Sequence, residues 1–296
     1  GYSLYDFNSE NSTPAYKVSL DRPYTAWAGA GGFFDGDYNF IRWLEAQGYD
    51  VTYATSVDLH TNPGIMLGRR VFVSPWHDEY YSAEMRASVK GFRDAGKHVA
   101  YFDANSIYWQ IRFEASSAGR PDRVVVGYKD HAPDPILSTD PSRATVLWRD
   151  APVNQPESTL LGSMYGSNFV YGTTFPWIAT NATHWVYDGT NVKNGDNIPG
   201  LVGYEYDKLW RTQPLPDGVT TLSASPVVDI DGLADTQESS VYQHTTGAFV
   251  FNAGTIYWAW KLDDNEFQHH GADARVSRMT QNVLATMING TPPRPA

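Results

Sequence analysis

The chain has 296 residues, of which 42% are hydrophobic, 19% charged and 14% aromatic, a composition typical of a folded globular protein and not of a disordered one. A net charge of −11, from 33 acidic and 22 basic residues, disfavours nucleic acid and anionic membrane surfaces as partners. Cysteine is absent, which excludes thiolate nucleophiles, thiolate metal sites and disulfides. No apolar run reaches the roughly 20 residues of a membrane-spanning helix.

The first hundred residues alternate between strand and helix patterns. The spacing of apolar residues predicts, in order, strand 16–20, helix 37–47, strand 49–56, strand 70–74, helix 82–95 and strand 98–102. Such alternation is typical of βαβ units, in which helices cover a parallel sheet. We therefore predict a single α/β domain over residues 1–296, with a flavodoxin-like parallel sheet flanked by helices.

The remainder of the chain has a different pattern. Short β-type runs separated by Gly, Pro, Asn and Asp predict a β-rich insertion or extension over residues 118–246. Two further runs, 248–252 and 255–260, predict a hairpin around Gly254. An apolar stripe over residues 274–288 predicts a closing helix that packs on the core.

Candidate catalytic residues follow the predicted strand over residues 70–74. Ligands of open parallel sheets bind beyond the carboxyl ends of the strands. There the sequence places His77, Glu79 and Tyr80, a base, an acid and a phenol, just before a helix that begins near Ser82. His77 and Glu79 could instead satisfy the polar groups of the loop backbone.

A further polar residue follows the predicted strand over residues 98–102, at the same predicted edge of the sheet. Asn105 could donate to a carbonyl oxygen that becomes negative during a reaction, although an Asn that shapes a turn is the plainer interpretation. The side chains around these two loops are the candidate substrate-binding residues, Trp76, Tyr108, Trp109 and Arg112. Motifs of serine hydrolases, nucleotide-binding loops and zinc proteases are missing from the sequence.

Several of these segments resemble the C-terminal region of the large (beta) subunit of N,N-dimethylformamidase. The similarity rests on the order and spacing of residues 38–45, 48–53, 58–60, 105–112, 147–150, 202–207 and 253–258 and of the motif His77-Asp78-Glu79-Tyr80-Tyr81-Ser82. It covers nearly the whole chain.

The resemblance implies a fold related to class I glutamine amidotransferases and a hydrolase that cleaves an amide C–N bond with metal-activated water. In the family, two tyrosines and a glutamate hold a ferric ion. By motif, Tyr38 and Tyr80 fall where the tyrosine ligands would be, and Glu157 is the nearest carboxylate to the expected position. Phenolates are hard anionic ligands suited to Fe(III), and a ferric centre makes bound water easier to deprotonate. His77 would then act as a base or orient a ligand.

Relatives of this domain resemble parts of secreted proteins, so the resemblance also implies an extracellular location. The 29 Trp and Tyr residues leave a second class of function open, a secreted module that binds or processes glycans by ring stacking. The substrate is thus a small-molecule amide or a glycan. Because no strong apolar run precedes Tyr38, we also expect that a partner subunit or an upstream fragment supplies a strand, or that residues 1–36 cover the gap.

Overall fold

The computed structural model describes residues 2–7, 9–23 and 30–292. Its helices are α1 (Asp37–Ala46), α2 (Ser56–Thr61), α3 (Ala83–Asp94), α4 (Ser158–Leu161) and α5 (Ala274–Asn289). Its strands are β1 (Lys17–Ser19), β2 (Val71–Ser74), β3 (Tyr80–Ser82), β4 (His98–Tyr101), β5 (Trp109–Glu114), β6 (Val124–Val126), β7 (Met164–Asn168), β8 (Phe175–Ile178), β9 (Asn197–Val202), β10 (Glu205–Lys208), β11 (Thr220–Thr221), β12 (Ser225–Val228), β13 (Ala234–Gln237), β14 (Ser240–Gln243) and β15 (Phe249–Asn252).

The central sheet has five strands in the order β11-β14-β15-β4-β2. β2, β4 and β15 are parallel, whereas β14 and β11 are antiparallel to their neighbours. A second sheet joins β1, β6, β5 and β3, and three two-stranded sheets pair β7 with β10, β8 with β9 and β12 with β13. Residues 118–246 hold strands β6 to β14, of which β11 and β14 belong to the central sheet.

This architecture corrects the predicted fold class. The protein is a mixed, sheet-rich fold with several small sheets and few helices, not a flavodoxin-like parallel sheet flanked by helices. Only three strands of the described part are parallel neighbours in the central sheet. The chain enters β15 from its antiparallel neighbour β14 through a short turn instead of through a crossover helix.

Alternate residues of β4 face two separate hydrophobic clusters, one on each side of the central sheet. Ala100 faces α1 and α5, whereas Val99 and Tyr101 face α3. The predicted helices over 37–47, 82–95 and 274–288 are confirmed as α1, α3 and α5, because each carries an apolar stripe that one of these clusters buries.

The predicted strand over residues 49–56 is wrong. Residues 50–55 have no regular structure, and α2 begins at Ser56. Thr55 and Asp58 form a capping box, in which the Asp58 N–H donates to Thr55 Oγ1 at 3.1 Å and the Thr55 N–H donates to Asp58 Oδ2 at 2.8 Å. These two hydrogen bonds start a helix and outweigh the β propensity of Val and Tyr nearby.

The predicted hairpin over residues 248–260 is also wrong. Its first half is β15, but residues 256–261 form a 3-10 helix whose N-cap, Thr255, accepts a hydrogen bond from the Tyr257 N–H. β15 takes its partners from β14 and β4 instead, and it is buried along its whole length.

The pairing within the central sheet can be compared with the expectation that a strand is supplied by a partner or by an upstream fragment. β4 is paired on both sides by strands of this chain, so the described sheet has no gap at its middle. β2 is the terminal strand on one side, and within the described ranges no strand pairs with its outer edge. No helix of the described residues is long and apolar enough to cross a membrane.

Gly254 provides a test of how tightly the sheet packs. It adopts φ +63°, and a Cβ there would lie 2.5 Å from the Glu238 carbonyl oxygen. We expect Gly254→Ala to lower the free energy of unfolding by about 3 kcal/mol, from overpacking together with left-handed strain. Gly247→Ala is the control, because Gly247 has φ +89° but open space around it, so only the strain of about 1 kcal/mol applies. Urea unfolding of both variants measures the difference, and equal losses would contradict this account.

Candidate active site

The loop that follows β2 carries the centre of the candidate site. His77 lines a cavity of about 430 Å³. Its Nε2 lies 3.5 Å from Glu205 Oε2 and 3.8 Å from Glu79 Oε2. Its Nδ1 is buried and has no hydrogen-bond partner among the described residues. One imidazole nitrogen therefore faces two carboxyl groups, while the other stays available.

Burial sets the protonation states of these groups. It lowers the pKa of His77 to about 4, so the imidazole is neutral at pH 7. Burial, reinforced by the nearby charge of Glu79, raises the pKa of Glu205 to about 8, so this carboxyl group is mostly protonated at pH 7. At neutral pH the site thus holds a neutral imidazole beside a mostly protonated carboxyl group.

Two phenols and an ammonium group surround Glu79. The Tyr5 hydroxyl donates to Glu79 Oε1. Lys129 Nζ donates to the Tyr80 hydroxyl at 2.7 Å and lies 3.0 Å from the centroid of the Tyr5 ring. Burial lowers the pKa of Lys129 and raises the pKa values of Glu79, Tyr5 and Tyr80. Burial therefore disfavours the charged form of each of these groups in a part of the site that water hardly reaches.

Asn105 connects this site to the loop after β4. Its Nδ2 donates to Glu205 Oε2 at 3.2 Å, and its backbone N–H donates to Asp207 Oδ1 at 2.9 Å. Asn105 has φ +58° and Ile107 has φ +56°. This left-handed conformation is rare and strained for a β-branched residue such as Ile107. Strain of this kind is concentrated at functional sites. The Asn105 Oδ1 atom is buried with no described partner.

The four predicted substrate-binding residues contact different parts of the structure. Trp76 lines the cavity, and its ring stacks on Trp260 at 5.8 Å. Trp109 lies near the Lys129 ammonium, 5.0 Å from Nζ to the ring centroid. Tyr108 packs against Tyr165 and Arg149, with ring and guanidinium centres within 5.2 Å.

Arg112 has a structural partner instead. Its guanidinium donates to both carboxylate oxygens of Asp134, at 2.6 and 2.9 Å. Asp134 is 4% exposed and also accepts from the Thr145 backbone and side chain. Arg112 therefore holds the loop after β6 in place.

Of the three predicted metal ligands, only Tyr80 belongs to the cluster around Glu79. The Tyr38 hydroxyl lies 3.4 Å from Glu266 Oε1, and its ring packs among Phe33, Phe34 and Phe267. Both oxygens of Glu157 accept from Arg149, at 2.9 to 3.1 Å. In the structure the Glu157 carboxylate is therefore paired with Arg149.

The donors around Glu79 can be compared with what a ferric ion requires. No group of three or more His, Asp and Glu side chains in the described part of the chain forms a metal-binding cluster. Tyr5 and Tyr80, however, flank the Glu79 carboxylate, and two phenols with a carboxylate are the hard oxygen donors that Fe(III) prefers. The residues present fit this ion in the kind of their donors.

Sequence reasoning missed Tyr5, Lys129 and Glu205. Glu205 lies within the segment 202–207 that carried the family resemblance, so the segment could have been examined for acids. Tyr5 lies in an irregular segment and Lys129 follows a three-residue strand, and neither position has a periodic or motif signal.

Taken together, these residues form a buried candidate site on a mixed, sheet-rich fold. Residues 1–273 match the family described as N,N-dimethylformamidase beta subunit-like, C-terminal, and the chain belongs to this family. A search of curated proteins finds no match. The name of the family is consistent with a hydrolase.

The aromatic residues that suggested glycan binding are largely core. Trp148, Trp177 and Trp258 are among the largest fully buried side chains. Tyr81 of β3 and Tyr101 of β4 are buried as well, and their hydroxyl groups share a hydrogen bond. The aromatic content therefore gives no specific support to a glycan-binding surface.

Proposed function

We propose that the chain hydrolyses the C–N bond of a carboxamide at the cavity lined by His77. The observation that carries this proposal is the position of His77, which turns Nε2 towards Glu79 and Glu205 and keeps a buried Nδ1 without a described partner. Membership of a dimethylformamidase-like family supports the same reaction class.

The two steps of hydrolysis need one base and one acid. His77 accepts a proton from the water molecule that attacks the carbonyl carbon. The C–N bond then breaks, and the protonated carboxyl group of Glu205 gives its proton to the departing amine. The products are a carboxylic acid and an amine. A separation of 3.5 Å between His77 Nε2 and Glu205 Oε2 allows the proton to return to Glu205 and restore the site.

Asn105 and Lys129 position the reacting groups. The Asn105 amide fixes the Glu205 carboxyl through its hydrogen bond to Oε2, and the Asp207 carboxylate in turn fixes the Asn105 backbone. Lys129 holds the Tyr80 hydroxyl, and its charge opposes that of Glu79. These contacts keep the acid and the base in place before substrate binds.

We propose further that Tyr5, Tyr80 and Glu79 hold a ferric ion, with Tyr80 retained from the predicted ligand set. When bound, such an ion supplies Lewis acidity that makes water easier to deprotonate near neutral pH. The proposal is supported by the placement of both phenols beside one carboxylate.

Removing the Tyr80 hydroxyl tests both proposals. We expect Tyr80→Phe to lose its iron and at least about 100-fold in amide hydrolysis, because the variant lacks one anionic donor. Elemental analysis measures the iron, and release of amine from N-substituted formamides measures the activity. Tyr53→Phe is the matched control, since the Tyr53 hydroxyl contacts only Glu45 at the surface among described partners. Full iron occupancy in Tyr80→Phe would contradict the ligand assignment, and an inactive wild-type protein would contradict the hydrolase.

We also propose that the enzyme works with a partner subunit and outside the cell. The family is named for a subunit, and the outer edge of β2 is where an added strand would find unpaired backbone groups in the described sheet. Native mass spectrometry measures the assembly.

A further inference from the structure

The cavity beside His77 is larger than a small formamide requires. Its volume of about 430 Å³ lies within the range of pockets that hold drug-sized ligands. Phe33, Asp37 and Trp76 line it together with His77 and a glycine-rich turn at residues 31 and 32. Its walls therefore combine two aromatic rings, one carboxyl group and exposed backbone.

Asp37 gives the cavity a negative character. It is the only acidic side chain in the described lining, and no Lys or Arg of the described chain lines the cavity with it. No described hydrogen bond or ion pair neutralises its carboxylate. The N-terminus of α1 contributes roughly half a positive elementary charge nearby, which is less than the full charge of the carboxylate. Burial and the nearby Asp78 raise the pKa of Asp37 to about 7, so this carboxyl group is mostly ionised only at a higher pH such as 8.5.

The two rings complete a surface suited to a cation. Trp76 is 5% exposed and is held rigidly, because it stacks on Trp260 and because the absent side chain of Gly36 makes room for its ring. A Cβ on Gly36 would lie 1.9 Å from the Trp76 ring. Phe33 packs edge to face on Phe34 and remains 37% exposed. Aromatic faces attract ammonium groups, most strongly where water is scarce.

We propose that this cavity binds an alkylammonium group of the substrate, with Asp37 as the counter-ion, the exposed Phe33 ring as an aromatic wall and the buried Trp76 ring as a rigid apolar wall. The substrate class is then an amide that carries a positive charge a few bonds from the C–N bond, such as a mono-acylated diamine. This inference rests on the proposed function for the reaction, whereas the binding of the cation stands on the cavity alone. The net charge of −11 favours approach of such substrates.

Binding of a matched pair of small molecules tests the cavity without any reaction. Choline is a cation, and 3,3-dimethylbutan-1-ol is its neutral isostere. At pH 8.5 we expect calorimetric titration to give choline about tenfold or more the affinity of the alcohol. Asp37→Asn should remove this preference, whereas Asp50→Asn, which removes an exposed charge elsewhere, should keep it. Equal affinities in the wild-type protein, or an unchanged preference in folded Asp37→Asn, would overturn the inference.

Hydrolysis of a second matched pair links the cavity to the reaction. N-[2-(dimethylamino)ethyl]formamide is cationic, and N-(3-methylbutyl)formamide is its neutral isostere. We expect kcat/KM to favour the cation by about tenfold or more in the wild-type protein and to be nearly equal in Asp37→Asn. Equal rates for both substrates in the wild-type protein would overturn the inference and leave the hydrolase intact. If neither is hydrolysed although choline is preferred, the proposed function fails and the cation site stands.

Discussion

Replacing His77 by Gln is expected to lower kcat/KM for amide hydrolysis by about 100- to 10,000-fold, the range found when a general base is removed. Gln keeps the size and a hydrogen-bonding amide, but it cannot accept a proton at neutral pH. The cavity should persist, so KM should change much less than kcat. Steady-state rates of amine release measure both constants.

His269→Gln is the matched control for this variant. His269 is exposed in the loop before α5, and it has no described contact with the candidate site. It should keep wild-type rates. Activity of His77→Gln within threefold of wild type would remove His77 from the reaction.

Replacing Arg112 by Met is expected to lower the free energy of unfolding by about 3–5 kcal/mol. The variant leaves the Asp134 carboxylate buried without its cation, and an uncompensated buried charge is costly. Arg123→Met is the control, because the Arg123–Asp21 pair has about a third of each side chain exposed and should contribute less than about 1 kcal/mol. Urea unfolding measures both. Similar losses in the two variants would contradict the structural role of Arg112.

The same ion pair predicts an acid transition. Hydrogen bonds from Arg112 and Thr145 lower the pKa of Asp134 to about 2, below its ordinary value of 3.8. A carboxyl group with a lowered pKa in the folded state contributes stability that is complete above pH 4 and is lost as the pH falls towards 2. Arg112→Met should therefore show a shallower loss of stability than the wild-type protein across this interval.

The elements that could be predicted are those whose signal lies within one short segment. α1, α3 and α5 each carry an apolar stripe and a terminal residue that caps or ends the helix. The absence of a strand over 49–56 has the same local origin, because the Thr55 and Asp58 capping box is a signal within one short segment of the sequence. The mixed central sheet could not be predicted, since the antiparallel pairing of β14 with β15 next to parallel β4 is a tertiary choice.

The residues of the candidate site also divide into those that the sequence predicts and those that it does not. His77, Glu79 and Asn105 follow two strands that are neighbours in the sheet, and the rule about strand ends predicted their common edge. Lys129, Tyr5 and Glu205 lie 50, 74 and 126 positions from Glu79 in the sequence. The packing of the second sheet and of the β7–β10 pair against the central sheet brings these three residues to Glu79. Hydrophobic periodicity does not predict such packing.

The position of Tyr5 has a consequence for how cleavage of the chain would affect the candidate site. Residues 2–7 form an arm whose Leu4 is buried against the rest of the protein and whose Tyr5 hydroxyl contacts Glu79. The stretch at residues 10–13, between this arm and β1, is exposed. A cut there would break the covalent link between the Tyr5 segment and β1 while every strand of the central sheet stays intact. Inactivation by a single nick would then precede any unfolding.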